Sequence, residues 1–242
     1  MRPGRGREDG QPAFVLHGYP YRETSLVVEV FSRGFGRIAL VARGARRPGS
    51  ALRGALLAFQ PLTISWTGRS DLKTLIAAEW EGAYAPLKGE ALICGFYLNE
   101  LILRLLARDD PHERLYDSYR EALAARAANA DRSAILRRFE LSLLGELGYA
   151  VILERDAERG APICAERRYV YVIERGPVPV DGDPAAAGVE LNGQTLLDMQ
   201  RGDFASVATQ QQSKALMRAL INHCLGHQVL FTRQLLRDLH DL

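Results

Sequence analysis

Short apolar runs separated by turn residues fill residues 13–84. "AFVLHGYP" ends at Pro20, and "SLVVEVFS" is rich in β-branched residues. "GFG" then makes a turn into "RIALVAR", and "LLAFQPLTISWTG" and "LKTLIAAEWEGAY" follow. Gly, Pro and Ser break the runs, which is the signature of consecutive strands and turns. Five strands in about 70 residues predict a Greek-key barrel of the OB type. After Pro86 the period lengthens. "GEALICGFYLNELILRLLARDD" places Leu92, Phe96, Leu98, Leu101, Leu105 and Leu106 at helical spacing. "PHERLYDSYREALAARAAN" opens with Pro111 in a first turn, and "DRSAILRRFELSLLGELGY" runs from Asp131 as N-cap to Gly148 as stop. Further on, "RRYVYVIERG" reads as a strand and "GQTLLDMQRGDF" as a short helix. "TQQQSKALMRALINHCLG" and "TRQLLRDLHDL" read as closing helices with Thr209 and Thr232 as caps.

The pattern therefore predicts an α+β protein: an N-terminal OB-fold β-barrel, then an α-helical domain with a small irregular β-containing insertion. The expected boundaries are a loose polar tail over 1–12, the barrel over 13–85, helices over 86–148 and 195–242, and the irregular region over 149–194. The opening "MRPGRGREDG" lacks the apolar stretch of a signal peptide, and no run is long enough to span a membrane. A cytoplasmic, nucleoid-associated protein is the expectation.

Charge changes this picture at one place. No Asp or Glu occurs between Glu29 and Asp71, while Arg33, Arg37, Arg43, Arg46, Arg47, Arg53 and Arg69 all do. A net charge of +2 overall, less +7 here, leaves −5 elsewhere. Two readings stand for this lobe. One is a solvated basic surface. The other is a groove for nucleic acid, with Lys73 adding to the field and Phe31, Phe35, Phe59 and Trp66 supplying rings for bases. Phe31 and Phe59 are the rings expected in the core. Arginine far outnumbers lysine, which suits phosphate contacts but also follows from a G+C-rich genome.

Other chemistry is sparse. The chain has no GxxxxGK[ST], GxGxxG, HExxH or GxSxG motif, so no enzyme class is indicated. Asp109 and Asp110 are adjacent and read as a solvated helix end. Cys94, Cys164 and Cys224 are far apart, which suggests free thiols in a reducing compartment. His223, Cys224 and His227 are too few for a structural zinc, so no metal and no cofactor are expected. In "ILRRFELSLLGELGY", Arg137 and Arg138 flank the apolar stripe Leu136, Phe139, Leu143 and Leu144. That is either ordinary helix packing beside a solvated pair, or a basic lip over a pocket suited to an acidic peptide ending in an aromatic residue.

Several phrases resemble the RecO family of bacterial DNA-repair proteins. They are "AFVLHGYPYRETSLVVEVFSRGFGRIALVARGAR", "LRGALLAFQPLTISWTGRSDLKTL", "YLNELILRLL", "LRRFELSLLGELGY" and, more weakly, "LFTRQLLRDL". The resemblance implies a non-enzymatic recombination mediator that binds single- and double-stranded DNA and anneals complementary strands. With RecR, such a mediator helps load RecA onto DNA coated by single-stranded DNA-binding protein. It also implies docking of that protein's acidic, Phe-ended tail, for which Arg138, then Arg137 and Arg104, would supply charge and Leu136, Phe139 and Leu143 a wall. Many family members carry four zinc-binding cysteines after the helices; here that stretch keeps only Cys164, so it is expected to be a zinc-ribbon-like region without metal ligands. The rival readings are a plain OB-type single-strand-binding factor and an enzyme with an unrecognised site.

Overall fold

The computed structural model describes residues 6–82, 84–127, 132–180, 187–226 and 228–240. It divides the chain into two compact units, Met1–Asn129 with Leu230–Leu242, and Ala130–Val229. The helical stretches 86–148 and 195–242, expected as one domain, are thus shared between both units.

In the first unit β1 (Arg7–Tyr21), β2 (Ser25–Ser32), β3 (Gly36–Ala42), β4 (Pro61–Thr67) and β5 (Leu72–Trp80) form a barrel in the order β1-β2-β3-β5-β4. β1 closes the ring onto β4, and the parallel β3–β5 seam is only three register pairs long. A five-residue helix, α1 (Ala51–Ala55), interrupts the β3–β4 connection. β1 starts well inside the expected tail. Residues 7–12 have weak strand propensity, but Arg7 and Glu8 pair with Thr67 and Trp66, so ladder bonds from β4 hold them extended.

Residues 13–16 of β1 and most of β2 are buried on both faces, which explains their nearly continuous apolar runs. Ala13, Val15, Val28 and Val30 enter the barrel core with Ile38, Leu40, Ile64 and Trp66. Phe14 and Phe31 are buried outside that core, against α3 (Glu113–Ala127), which follows α2 (Gly89–Leu105). Their rings lie 5.5 Å from that of Tyr116, and Phe14 also meets Tyr119 edge-on at 5.2 Å. Each such ring contributes about 1.5–3 kcal/mol by leaving water. A bulge between Val15 and His17 leaves the Leu16 carbonyl outside the ladder; it accepts a bond from Asn99 Nδ2 at 2.8 Å, and Asn99 in turn accepts from the Tyr119 hydroxyl.

The last helix, α7 (Phe231–His240), belongs to this unit because α2 caps it. The Glu100 carboxylate accepts from the backbone N–H groups of Phe231 and Thr232 at 2.8 and 2.9 Å, and from Thr232 Oγ1 at 2.7 Å. Thr232 is thus a donor to a remote carboxylate rather than the cap itself. A negative charge at a helix N-terminus is favourable on both hydrogen-bonding and dipole grounds.

The second unit holds α4 (Arg132–Glu146), a sheet of β6 (Arg168–Val172), β7 (Gly176–Pro179) and β8 (Val189–Asn192) in the order β7-β6-β8, then α5 (Gly193–Arg201) and α6 (Val207–Leu225). Phe139, Leu143, Tyr169, Leu196, Met199 and Met217 are among its buried residues. Thr209 does not cap α6, which begins after Ser206; its hydroxyl donates to Asp198 at 2.7 Å. Asp131, expected as the cap of α4, lies outside the described residues. Among the described residues no helix is long and apolar enough to cross a membrane.

Candidate nucleic-acid interface

The acid-free arginine segment meets acids once the chain is folded. At the β2–β3 turn, Arg33 donates to both carboxylate oxygens of Asp117 at 3.0 and 2.9 Å and pairs with Glu113 at 2.7 Å. These acids come from α3, 84 positions along the chain in the case of Asp117. The hydrogen bond from Arg33 holds the Asp117 carboxyl below its ordinary range, and partial burial opposes it. Arg37 lies under α2, where it donates to the Leu103 carbonyl, and desolvation lowers its pKa. Lys73 is buried and paired with Asp109 at 2.6 Å. Arg33, Arg37 and Lys73, all expected to face phosphate, are therefore occupied within the unit.

The other end of the barrel differs. The segment from Arg43 to Ser50 folds over the β1–β2 turn: Arg46 N donates to Thr24 O at 2.8 Å, and its guanidinium to Arg22 O at 3.3 Å. Gly44 is at φ +69, a conformation that favours glycine, and Arg47 N closes on its carbonyl at 3.0 Å. Arg43, Arg46, Arg47 and Arg53 are exposed and have no ion pair among the described residues. Register places them together: Ala42 pairs with Leu26, and α1 is tied to the end of β5 by a bond from Trp80 Nε1 to Ala55 O at 2.9 Å. Arg22 joins this end over the Tyr21 ring, with Glu23 as its sequence neighbour; its place was not legible because only the fold brings the β1–β2 turn beneath Arg46. Arg69 is exposed in the β4–β5 turn, where Gly68 N donates to Gly6 O at 2.8 Å.

Phe31 and Phe59 are buried, as expected of core rings. The two rings left for stacking are not free for it: Trp66 is buried, and Phe35 packs edge-on against it at 5.0 Å. Apolar runs placed Phe31 and Trp66 on strands but did not reveal which strand face is covered. The rings that do reach solvent in this unit are Tyr19, Trp80, Phe96 and Phe231.

The residues expected to hold an acidic tail are likewise dispersed. Phe139 and Leu143 are core residues of the second unit, and Leu136 is half-buried. Arg137 is buried against Glu140 at 2.9 Å, so it forms no lip. Arg138 is exposed and donates to the Gly202 carbonyl at 2.8 Å. Arg104 belongs to the first unit, where it stands 5.4 Å from the Phe231 ring centroid and 3.9 Å from Glu100.

In the region expected to be zinc-ribbon-like, a carboxylate organises the chain. Asp156 accepts from the backbone N–H groups of Glu158, Arg159 and Ala161 at 3.0, 2.6 and 3.1 Å. Its turn reads "DAER", and a second turn eight residues on reads "CAER", in which Cys164 O accepts from Arg167 N at 3.2 Å. Backbone hydrogen bonds, led by that of Arg159, lower the Asp156 pKa. Among the described residues no three metal-ligating side chains converge; His227 lies outside them.

Comparison with known proteins agrees with this architecture. The family description "Recombination protein O N terminal" matches residues 9–84, and "Recombination protein O C terminal" matches residues 87–234. Proteins named "DNA repair protein RecO" are similar over the full chain. That of Nitrosospira multiformis is 54% identical over 242 residues, covering 100% of both chains. That of Aromatoleum aromaticum is 55% identical over 98% of both. That of Thiobacillus denitrificans is 53% identical over 98% of this chain and 94% of its own.

Proposed function

The chain belongs to the RecO family of DNA-repair proteins, and from that premise we propose that it is a non-enzymatic recombination mediator. In this reading it binds single- and double-stranded DNA and anneals complementary strands in the cytoplasm. With RecR it helps load RecA onto DNA coated by single-stranded DNA-binding protein. The observation that carries the DNA part is the barrel end where Arg43, Arg46, Arg47 and Arg53 are exposed without acidic partners among the described residues. Arg22 adds to it, and Arg69 extends the positive field from the β4–β5 turn. Arginines held this way neutralise phosphates and release counterions, and neutralisation lowers the cost of bringing two strands together. Base pairing then supplies specificity. Arg138 is the exposed cation retained for the acidic tail of the coating protein.

The test is annealing of coated complementary oligonucleotides with and without the protein, and with Arg46→Ala/Arg47→Ala. The double variant should anneal more slowly and bind all sequences more weakly, with the salt slope reduced by about two units. Unchanged slope and rate with an intact fold remove this surface from the reading. Annealing of bare but not of coated strands leaves a plain single-strand-binding factor.

A further inference from the structure

A groove of about 790 Å³ opens in the first unit among β1, α2 and α7. That size is typical of a ligand site. Glu29 and Arg37 are among its lining residues, and each has one buried side-chain atom with no hydrogen-bond partner among the described residues. Glu29 is only 4% exposed; one carboxylate oxygen accepts from Arg108, while Oε2 has no hydrogen-bond partner. Arg37 donates to Leu103 O through Nη1, and its Nε has no partner either. Phe31 pairs with Arg37 across β2–β3 and Glu29 is two residues from Phe31, so both groups lie on the outer face of the same ladder.

The walls are apolar, including Leu16, Ile93 and Leu103. Three rings at the groove reach solvent: Tyr19 at 48%, Phe96 at 43% and Phe231 at 67% exposure. Arg104 covers one side of Phe231, and Arg108 is partly exposed. The cations Arg37, Arg104 and Arg108 outnumber the acids Glu29 and Glu100, and Glu100 is already occupied by the start of α7.

From these features we infer that the groove receives nucleobases of a single DNA strand, at a site separate from the Arg43–Arg53 surface. The inference rests on the DNA-binding reading above. A buried carboxylate oxygen without a partner requires an N–H donor, and a nearby guanidinium N–H requires an acceptor. Base edges present donors and acceptors side by side. Exposed rings stack on any base, and arginines beside them take the phosphates that come with it. An acidic peptide would suit the rings and arginines but would bring carboxylates toward the free oxygen of Glu29. The base is therefore the occupant with the better charge match.

The experiment compares a single-stranded oligonucleotide with an abasic strand of equal length, using the full chain and the variant Phe96→Ala/Phe231→Ala. Phe231 is largely exposed and Phe96 partly so, its ring edge-on to Phe59 at 5.1 Å, so circular dichroism first verifies that the variant folds. The full chain should bind the base-bearing strand more tightly than the abasic one. The variant should lose about fivefold or more on the first and little on the second, with its salt slope unchanged. Equal affinity of the full chain for both strands overturns the inference and leaves phosphate binding intact. Binding of neither strand sinks the DNA-binding reading itself. If the strands are not distinguished but an acidic, aromatic-ended peptide binds and the variant loses it, the groove is a peptide site and the inference is wrong.

Discussion

Two ends of one barrel carry the same residue type and meet opposite surroundings. At the β2–β3 end, Arg33 is clasped by Glu113 and Asp117, and Arg37 is folded under α2. At the β3–α1 end, Arg43, Arg46, Arg47 and Arg53 face solvent, and no helix brings a carboxylate to them among the described residues. A cluster of arginines is therefore not a binding surface by composition. The first set fastens the barrel to its helices; the second remains available to a polyanion. The contrast arises because the acids stand outside the basic segment in sequence but reach only one end of it in space.

The largest expected effect comes from the fastened end. Gly36 has φ +66, and a Cβ there would sit 1.8 Å from the Asp110 carbonyl oxygen. Gly36→Ala must displace the α2–α3 connection and should cost about 3 kcal/mol or more, measured by denaturant unfolding. A loss below about 1 kcal/mol would mean the helices dock loosely there.

Next is the Lys73 pair. Asp109→Ala leaves a nearly buried ammonium without its partner and should cost about 1–3 kcal/mol. Adding Lys73→Met should restore most of that, since an apolar side chain of similar length needs no partner. If the double variant is no more stable than the single one, the pair is not the source of the loss.

The DNA comparison is third. Arg46→Ala/Arg47→Ala should lower the salt slope by about two units, whereas Arg33→Ala should leave slope and affinity nearly unchanged. An equal loss from Arg33→Ala would erase the distinction between the two ends.

The smallest effect is on pH dependence. The Asp117 carboxyl is held below its ordinary value, so its contribution to stability is present above the unfolded pKa of about 4 and fades as pH falls through the lower folded value. Asp117→Asn should flatten that acid limb in melts taken below about pH 4 and change little at neutral pH beyond loss of the ion pair. Both side chains are more than a third exposed, so water screens the pair and the change should be slight. An acid limb identical in the variant would exclude this carboxyl as its cause.

Parts of this molecule were legible before folding. Short apolar, β-branched runs and turn residues located the barrel strands because each needs to bury apolar surface in the core. The helices announced themselves by apolar spacing, as in Leu98 and Leu101 of α2. Phe31 was expected to be buried, but that it and Phe14 are buried outside the barrel core was not legible, because an apolar run does not say which of its faces a later helix will cover. Arg137 was misread for a related reason: a charge next to an apolar stripe looks solvated until its partner, Glu140 one turn away, is seen buried with it. The expected metal-free turn has a carboxylate at its centre, a role for Asp156 visible only from three converging backbone N–H groups.

By itself the sequence determined the order of the barrel strands and of the longer helices, though not α1, β7 or β8, and the composition of the basic lobe, because propensity, periodicity and charge are properties of neighbouring residues. Tertiary structure decided which arginines stay unneutralised and which rings reach solvent. It also decided where α7 docks, since the Glu100 carboxylate that caps it lies 131 positions before Phe231. Those outcomes depend on distances between remote segments, and electrostatic and hydrogen-bond energies fall away within a few ångströms. No local pattern records which remote carboxylate will arrive within that range.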